Sequence, residues 1–305
     1  MKKKAIIMIL LMPILFVADS LIACENGNII YVDDDNINGP WDGTESNPFQ
    51  FIQDAINFAT EGDFVFVKTG IYNEHLTIEK SITLTGEEKN NTIILRQFDK
   101  DILHILNTTN VIISTFSIQN ENDYENYISA VHIQNCSNVQ IVNSIIKGCY
   151  DGFLIESNEN KIMNNSIKEN KNGICFGHYR NSPKKINFCS FSHNNNVISG
   201  NDITNNSEAG LSLDYTRGNI ITDNSIVHNE YGLRLYSSKE NTVCRNNFID
   251  NKINVFDMST NNWTRNYYDN WIGHYCHLLS FFPKLIPGTL FLNVDWLPSN
   301  HVYDY

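Results

Sequence analysis

The chain has 305 residues and a formal charge of −12 at neutral pH. Residues 1–23 carry three lysines and one aspartate, so removing them leaves −14. So acidic a balance excludes nucleic acid and anionic membrane surfaces as partners, and it suits a soluble protein working outside the cytoplasm.

In chain order, residues 1–23 have the layout of a secretory signal. Lys2–Lys4 form a basic start, and the apolar run from Ala5 to Ala18 is interrupted by Pro13. About 14 apolar residues are too few to span a bilayer core of about 30 Å. Leu21-Ile22-Ala23-Cys24 looks like a bacterial lipobox, in which Cys24 would be lipidated and become the new N-terminus. The alternative is ordinary cleavage nearby, with Cys24 incidental. Either way the protein is expected to be exported, periplasmic, extracellular or at the cell surface. Its only tie to a membrane would be the signal or a lipid anchor.

Residues 29–100 have a texture of their own. Ile30-Tyr31-Val32 predicts a strand, followed by the acidic turn Asp33-Asp34-Asp35. Further on, Ile52, Ala55, Ile56 and Ala59 fall on one helical face. Short alternating segments such as Phe64–Val67, Leu76–Ile78 and Ile82–Thr85 predict strands. The three aspartates invite Ca²⁺, which takes several carboxylate oxygens. Against that, successive strand residues point to opposite sides.

Residues 101–258 repeat. N-V-Q-I-V-N-S-I at 138–145 returns as N-K-I-M-N-N-S-I at 160–167, N-N-V-I-S-G-N-D-I at 195–203, G-N-I-I-T-D-N-S-I at 218–226 and E-N-T-V-C-R-N-N-F at 240–248. Asn143, Asn165, Asn201, Asn224 and Asn246 mark the repeat, and Gly152, Gly173, Gly210 and Gly232 mark a second beat. A period in the twenties signals a solenoid. At about 3.3 Å per residue, 22 residues close one coil of three short strands, and coils stack in parallel about 4.8 Å apart. The predicted fold is therefore all-β: a three-sheet parallel β-helix with aliphatic residues inside and an asparagine file at a corner. A leucine-rich repeat would need a leucine ladder and a helical return, and neither occurs. The open N-terminal end needs a cover, so the Ile52–Ala59 helix is expected to cap it. Residues 259–305, rich in Trp263, Tyr267, Tyr268 and Trp271, are expected to cap the other end. The alternative there is an exposed aromatic platform for sugar rings. Loops at 119–127 and 177–194 are insertions, and solenoids often place function at such corners.

Y-V-D-D-D-N, G-P-W-D-G-T, P-F-Q-F-I-Q-D-A-I-N-F-A, E-G-D-F-V-F-V, G-I-Y-N-E and I-T-L-T-G-E, followed by the N-x-I repeats, resemble the exported right-handed parallel β-helix proteins. These group the periplasmic copper-maturation protein NosD with carbohydrate-binding and sugar-hydrolase-type relatives of the pectin-lyase-like superfamily. The resemblance spans about residues 29–275 and implies fold and export. It says little of activity, because the group mixes enzymes, binding modules and surface proteins.

Two constellations carry candidate chemistry. Cys175-x2-His178 and Cys189-x3-His193 bracket the 177–194 insertion and have the residue types of a tetrahedral Zn²⁺ or copper site. The resemblance to NosD points to copper. Alternatives are a Cys175–Cys189 disulfide, which export permits, and chance placement. The second constellation lies on outward columns after each repeat glycine. Glu156, Asp214, Tyr215, Arg217, Arg234 and Tyr236 could present a polar-aromatic patch to a polysaccharide or cell-surface glycan, or form a solvated face. Hydrolysis needs two carboxylates at a set separation, and no such pair is visible within the repeats. The sequence thus predicts an exported, non-catalytic glycan-binding or structural module. A polysaccharide lyase or glycosidase is the alternative, and copper handling a third reading. An acidic pair clustered with an arginine in one groove would favour the enzyme.

Overall fold

In each repeat two or three short segments alternate apolar and polar residues between asparagine-rich corners, and each becomes a strand of two to six residues. The computed structural model describes residues 27–96, 99–121, 127–177, 193–271, 283–288 and 293–304. One coil runs through Gln140–Val142, Ile145–Lys147 and Asp151–Glu156, and the next through Lys161–Met163, Ser166–Lys168 and Asn172–Phe176. Equivalent strands of successive coils pair in parallel. They build three sheets: sheet I with ten strands, sheet II with nine and sheet III with eight. This is a right-handed parallel β-helix, the hand that parallel crossovers adopt.

Inward residues stack in unbroken columns. In sheet I the column runs Ile141, Ile162, Ile198, Ile221, Val243 and Trp263. In sheet II it runs Ile146, Ile167, Ile203, Ile226, Phe248 and Tyr268. Sheet III contributes two, one led by Phe153 and one by Ile155. All of these are buried. Burying each aliphatic side chain contributes roughly 1.5–3 kcal/mol, so the core is spread along the axis rather than held at one centre.

The corners hold three asparagine files. The middle one begins at Ser144 and continues through Asn165, Asn201, Asn224, Asn246 and Asn266. Asn143, expected in this file, is not in it. The coil it belongs to is 21 residues long, so Asn143 takes the left-handed corner position (φ 49°) and Ser144 occupies the file. A second file runs Asn160, Asn196, Asn219, Asn241 and Asn261, and a third Asn170, Asn206, Asn229 and Asn251. Within a file, the backbone N–H and the side-chain amide of each asparagine both donate to the carboxamide oxygen of the next coil. Donors therefore point toward the C-terminus, and the last rung of the middle file needs an acceptor beyond it. Asp295 supplies it. Its Oδ2 accepts from the Asn266 N–H and amide, each at 3.0 Å, and its Oδ1 from the Arg265 N–H.

The repeat glycines have a packing cause. A Cβ on Gly173 would sit 2.5 Å from the Gly210 carbonyl oxygen and 3.0 Å from Ile203 Cγ2. Backbone cannot yield as a side-chain tip can. Gly173→Ala is expected to cost about 1–3 kcal/mol, an overpacking penalty, and urea unfolding would measure it.

Both ends are closed. Helix α1, Ile52–Phe58, buries Ile52, Ala55 and Ile56 over the first coil. Its first N–H groups lack a local cap and donate instead to the carboxylate of Glu74, Ile52 at 2.8 Å and Gln53 at 2.9 Å. At the far end the coils run past residue 258, the limit expected from the repeats. Strands Asn262–Thr264 and Tyr267–Tyr268 form a further rung. Trp263 and Tyr268 thus extend the inward columns, with Tyr268 stacked on Phe248, and Trp271 and Ile286 add to the core beyond them. The antiparallel pair Lys284–Ile286 and Asn293–Asp295 follows them.

Candidate functional site

Alternation that turns Phe153 and Ile155 into the core turns Leu154 and Glu156 outward, so sheet III presents ordered outer columns. One column in register runs His104, His132, Leu154, Cys175, Ser212, Arg234 and Phe256. Its middle forms the floor of a groove of about 380 Å³. Tyr127, Tyr150, Asp151, Asn172 and Glu208 stand on the side where the strands begin. Gly177, Asp214 and Tyr236 stand where they end.

Arg234 is held in place. Its Nη1 donates to Glu208 Oε1 at 3.0 Å, and its Nε and Nη2 donate to Ser212 Oγ. The guanidinium carbon lies 5.6 Å from the ring centroids of both Tyr231 and Tyr236. Asp214 is 7% exposed, and its Oδ1 has no hydrogen-bond donor. Burial raises its pKa to about 6, with Arg234 pulling weakly the other way. On the opposite side, Asn172 Nδ2 donates to Asp151 Oδ1 at 3.0 Å. Lys171 lies over the Tyr150 ring, 3.7 Å from Glu208.

The groove thus gathers Asp214, Arg234 and Tyr236 and adds Asp151 and Glu208, three carboxylates in all. Sequence reasoning missed Tyr150, Asp151, Asn172 and Glu208. They sit one or two residues before the repeat glycines, a column that only the repeat register reveals. The other expected patch residues lie elsewhere. Tyr215 takes the left-handed position (φ 54°) just past the strand end. Arg217, beyond it at the corner, pairs with Glu240 at 2.6 Å.

Glu156 belongs to a second cluster, N-terminal on the same face. His132 Nδ1 lies 2.9 Å from Asp101 Oδ2, and its Nε2 lies 2.9 Å from Glu156 Oε2. Gln134 Nε2 donates to the same Glu156 oxygen. Burial alone would lower the pKa of His132, but the bonds and charges of Asp101 and Glu156 outweigh it and lift it to about 9. His104 stacks on this ring at 4.5 Å, and burial together with the His132 charge pushes its pKa down.

The family model described as periplasmic copper-binding protein (NosD) matches residues 56–274. The chain belongs to the NosD family. No curated protein sequence matches it. Among solved structures it is similar to pectate lyase Pel9A, at 14% identity and TM-score 0.59, covering 80% of this chain and 69% of that one. A rhamnogalacturonan lyase matches at 14% identity and TM-score 0.52, covering 79% and 75%. The Dettilon tailspike protein matches at 14% and 0.52, covering 86% of this chain but 57% of its own. At such identities the likeness shows the fold alone.

The family name raises copper, and the described residues do not fit it. Among them, no three His, Cys, Asp or Glu side chains converge as metal ligands. Both nitrogens of His132 are engaged by carboxylates. Of the Cys/His set, Cys175 lies on the groove floor and His193 at the corner before strand Val197–Ser199. His178 and Cys189, and with Cys189 the Cys175–Cys189 disulfide, lie outside the described residues, as do Cys24 and the signal segment. The aspartates considered for Ca²⁺ diverge. Asp33 pairs with Lys68 at 3.0 Å, while Asp34 accepts from the Ile71 N–H.

Proposed function

We propose that the protein is an exported β-helix that binds a polysaccharide in the outer groove of sheet III. The observation that carries this is the groove's composition: tyrosines on both sides, a fixed arginine on the floor and carboxylates at both ends of the strands. Aromatic faces with a few placed polar groups suit sugar rings, and the groove has the size of ordinary ligand sites. Export is supported by the basic-apolar start of the chain and by the periplasmic description of its family. No helix among the described residues is long and apolar enough to cross a membrane.

Turnover of the glycan is a second reading, favoured by two observations. Glu208 and Asp214 stand with Arg234 in one groove, the acidic pair and arginine that the enzyme reading calls for. Asp214, buried and with its pKa near 6 beside Arg234, has the character of a general acid or base. Incubating the mature protein with a polysaccharide panel separates the two. Retention without new reducing or unsaturated ends is expected for a binding module. Product release that changes through pH about 6, with Asp214→Asn abolishing that limb, would establish the enzyme. If no polysaccharide is retained or cut, the groove is not a glycan site.

A further inference from the structure

Every cationic donor that the described residues bring to the groove is already engaged. Arg234 donates to Glu208 and Ser212, and Lys171 donates to Tyr150 and faces Glu208. Asn172 is likewise committed, its amide N–H₂ being given to Asp151. What remains unmatched are acceptors. Asp214 Oδ1 and Asn172 Oδ1 are both buried and have no donor, in residues only 7% and 6% exposed. Gly177, at φ 96°, lies against Asp214, where a Cβ would meet the Asp214 carbonyl oxygen at 3.2 Å. A buried acceptor left unmatched costs about 1–3 kcal/mol, so each is a place where a ligand donor is favoured.

We infer that the groove selects an amine-bearing glycan, a chain of hexosamine units in the free-amine form, with an ammonium group donating to Asp214. This rests on the reading of the groove as a glycan site and names its substrate class. A uronate chain is disfavoured, because its carboxylates would meet Asp151, Glu208 and Asp214 with no uncommitted cation to receive them. An N-acetylated or neutral chain could donate N–H or O–H to the open oxygens, but without the charge attraction. Asn172 begins its strand and Asp214 ends the neighbouring one. With Asn172 opposite Ala209, the two acceptors are five residues apart along the strand direction, roughly 16 Å. That span requires more than one sugar ring, so an oligomer is the fitting probe.

The test is calorimetric titration of the full mature chain with hexamers of glucosamine, N-acetylglucosamine, glucose and galacturonate, in buffer of high ionic strength. The salt matters because this protein is acidic and attracts any cationic chain. The glucosamine hexamer should bind about 10–100-fold tighter than the other three, the range of a charge-assisted hydrogen bond. Its affinity should rise as the pH rises through about 6 and Asp214 ionises, and fall again at higher pH as the hexosamine ammonium groups lose their protons. Asp214→Asn should remove both the preference and the rise. Asp35→Asn, the same charge change at the exposed N-terminal turn, should remove neither. The comparison among hexamers on the unaltered protein does not depend on either variant folding. Equal or tighter binding of the acetylated, neutral or uronate hexamer overturns the amine assignment and leaves glycan binding standing. If no hexamer binds, both fall.

Discussion

Asn224→Leu should lower the unfolding free energy by roughly 3–5 kcal/mol, although leucine matches asparagine in size. The side chain sits at 0% exposure in the middle corner file. Its Oδ1 accepts from the Asn201 N–H at 3.0 Å and the Asn201 amide at 2.9 Å. Its own amide donates to Asn246 Oδ1, Ile198 O and Thr222 O, each at 2.9 Å. Leucine strands groups on both flanking coils, and each unmatched buried group costs about 1–3 kcal/mol. Because rungs contact only their neighbours, the loss should not be diluted by the rest of the solenoid. Asn143→Ala is the control. Asn143 holds a left-handed corner outside the file and accepts from the half-exposed Lys89 ammonium at 3.1 Å, so its replacement should cost only about 1–2 kcal/mol, mostly backbone preference. Urea titration of the two variants decides the matter, and equal losses would mean that the file is not what holds the corners.

That contrast marks the limit of what was legible in the sequence. Period, strand grammar and inward aliphatic columns were legible because each coil repeats the same steric problem. Four of the five expected asparagines stand in the file, and Asn143 alone misses it, since a 21-residue and a 22-residue coil offer the same N-S pair at the corner. Hydrogen-bond direction was not legible at all, nor was the closing of the middle file by Asp295, both of whose carboxylate oxygens accept backbone N–H groups. The groove was half legible. Outward positions after each glycine gave Asp214, Arg234 and Tyr236. Tyr127 and the histidine cluster come from the less regular coils, where no repeat phrase marks the register. Glu156 shares a column with Asp214 in sequence, yet a histidine one strand away claims it.

The histidine cluster should give the protein a stability that fails in alkaline solution. His132 has a folded pKa of about 9 against an ordinary 6.5. A raised folded pKa favours the native state fully below the unfolded value, and the favour is lost as pH climbs from about 6.5 through 9. A gap of this size corresponds to about 3 kcal/mol. The groups facing the ring set the sign. Asp101 and Glu156 hold its two nitrogens, Gln134 shares the Glu156 oxygen, and His104, held neutral by burial, stacks on its face. Unfolding free energies measured from pH 6 to 10 should therefore fall more steeply for the native chain than for His132→Gln. Glutamine can donate to one carboxylate but cannot carry the proton, so this variant should be weaker at pH 6 and nearly equal to the native chain at pH 10. Lysines and tyrosines titrating in the same range are common to both chains and cancel in the difference. The ring resonances of His132 should titrate near pH 9. Parallel stability curves, or a ring titrating near 6.5, would show that the two carboxylates do not hold this imidazolium in place.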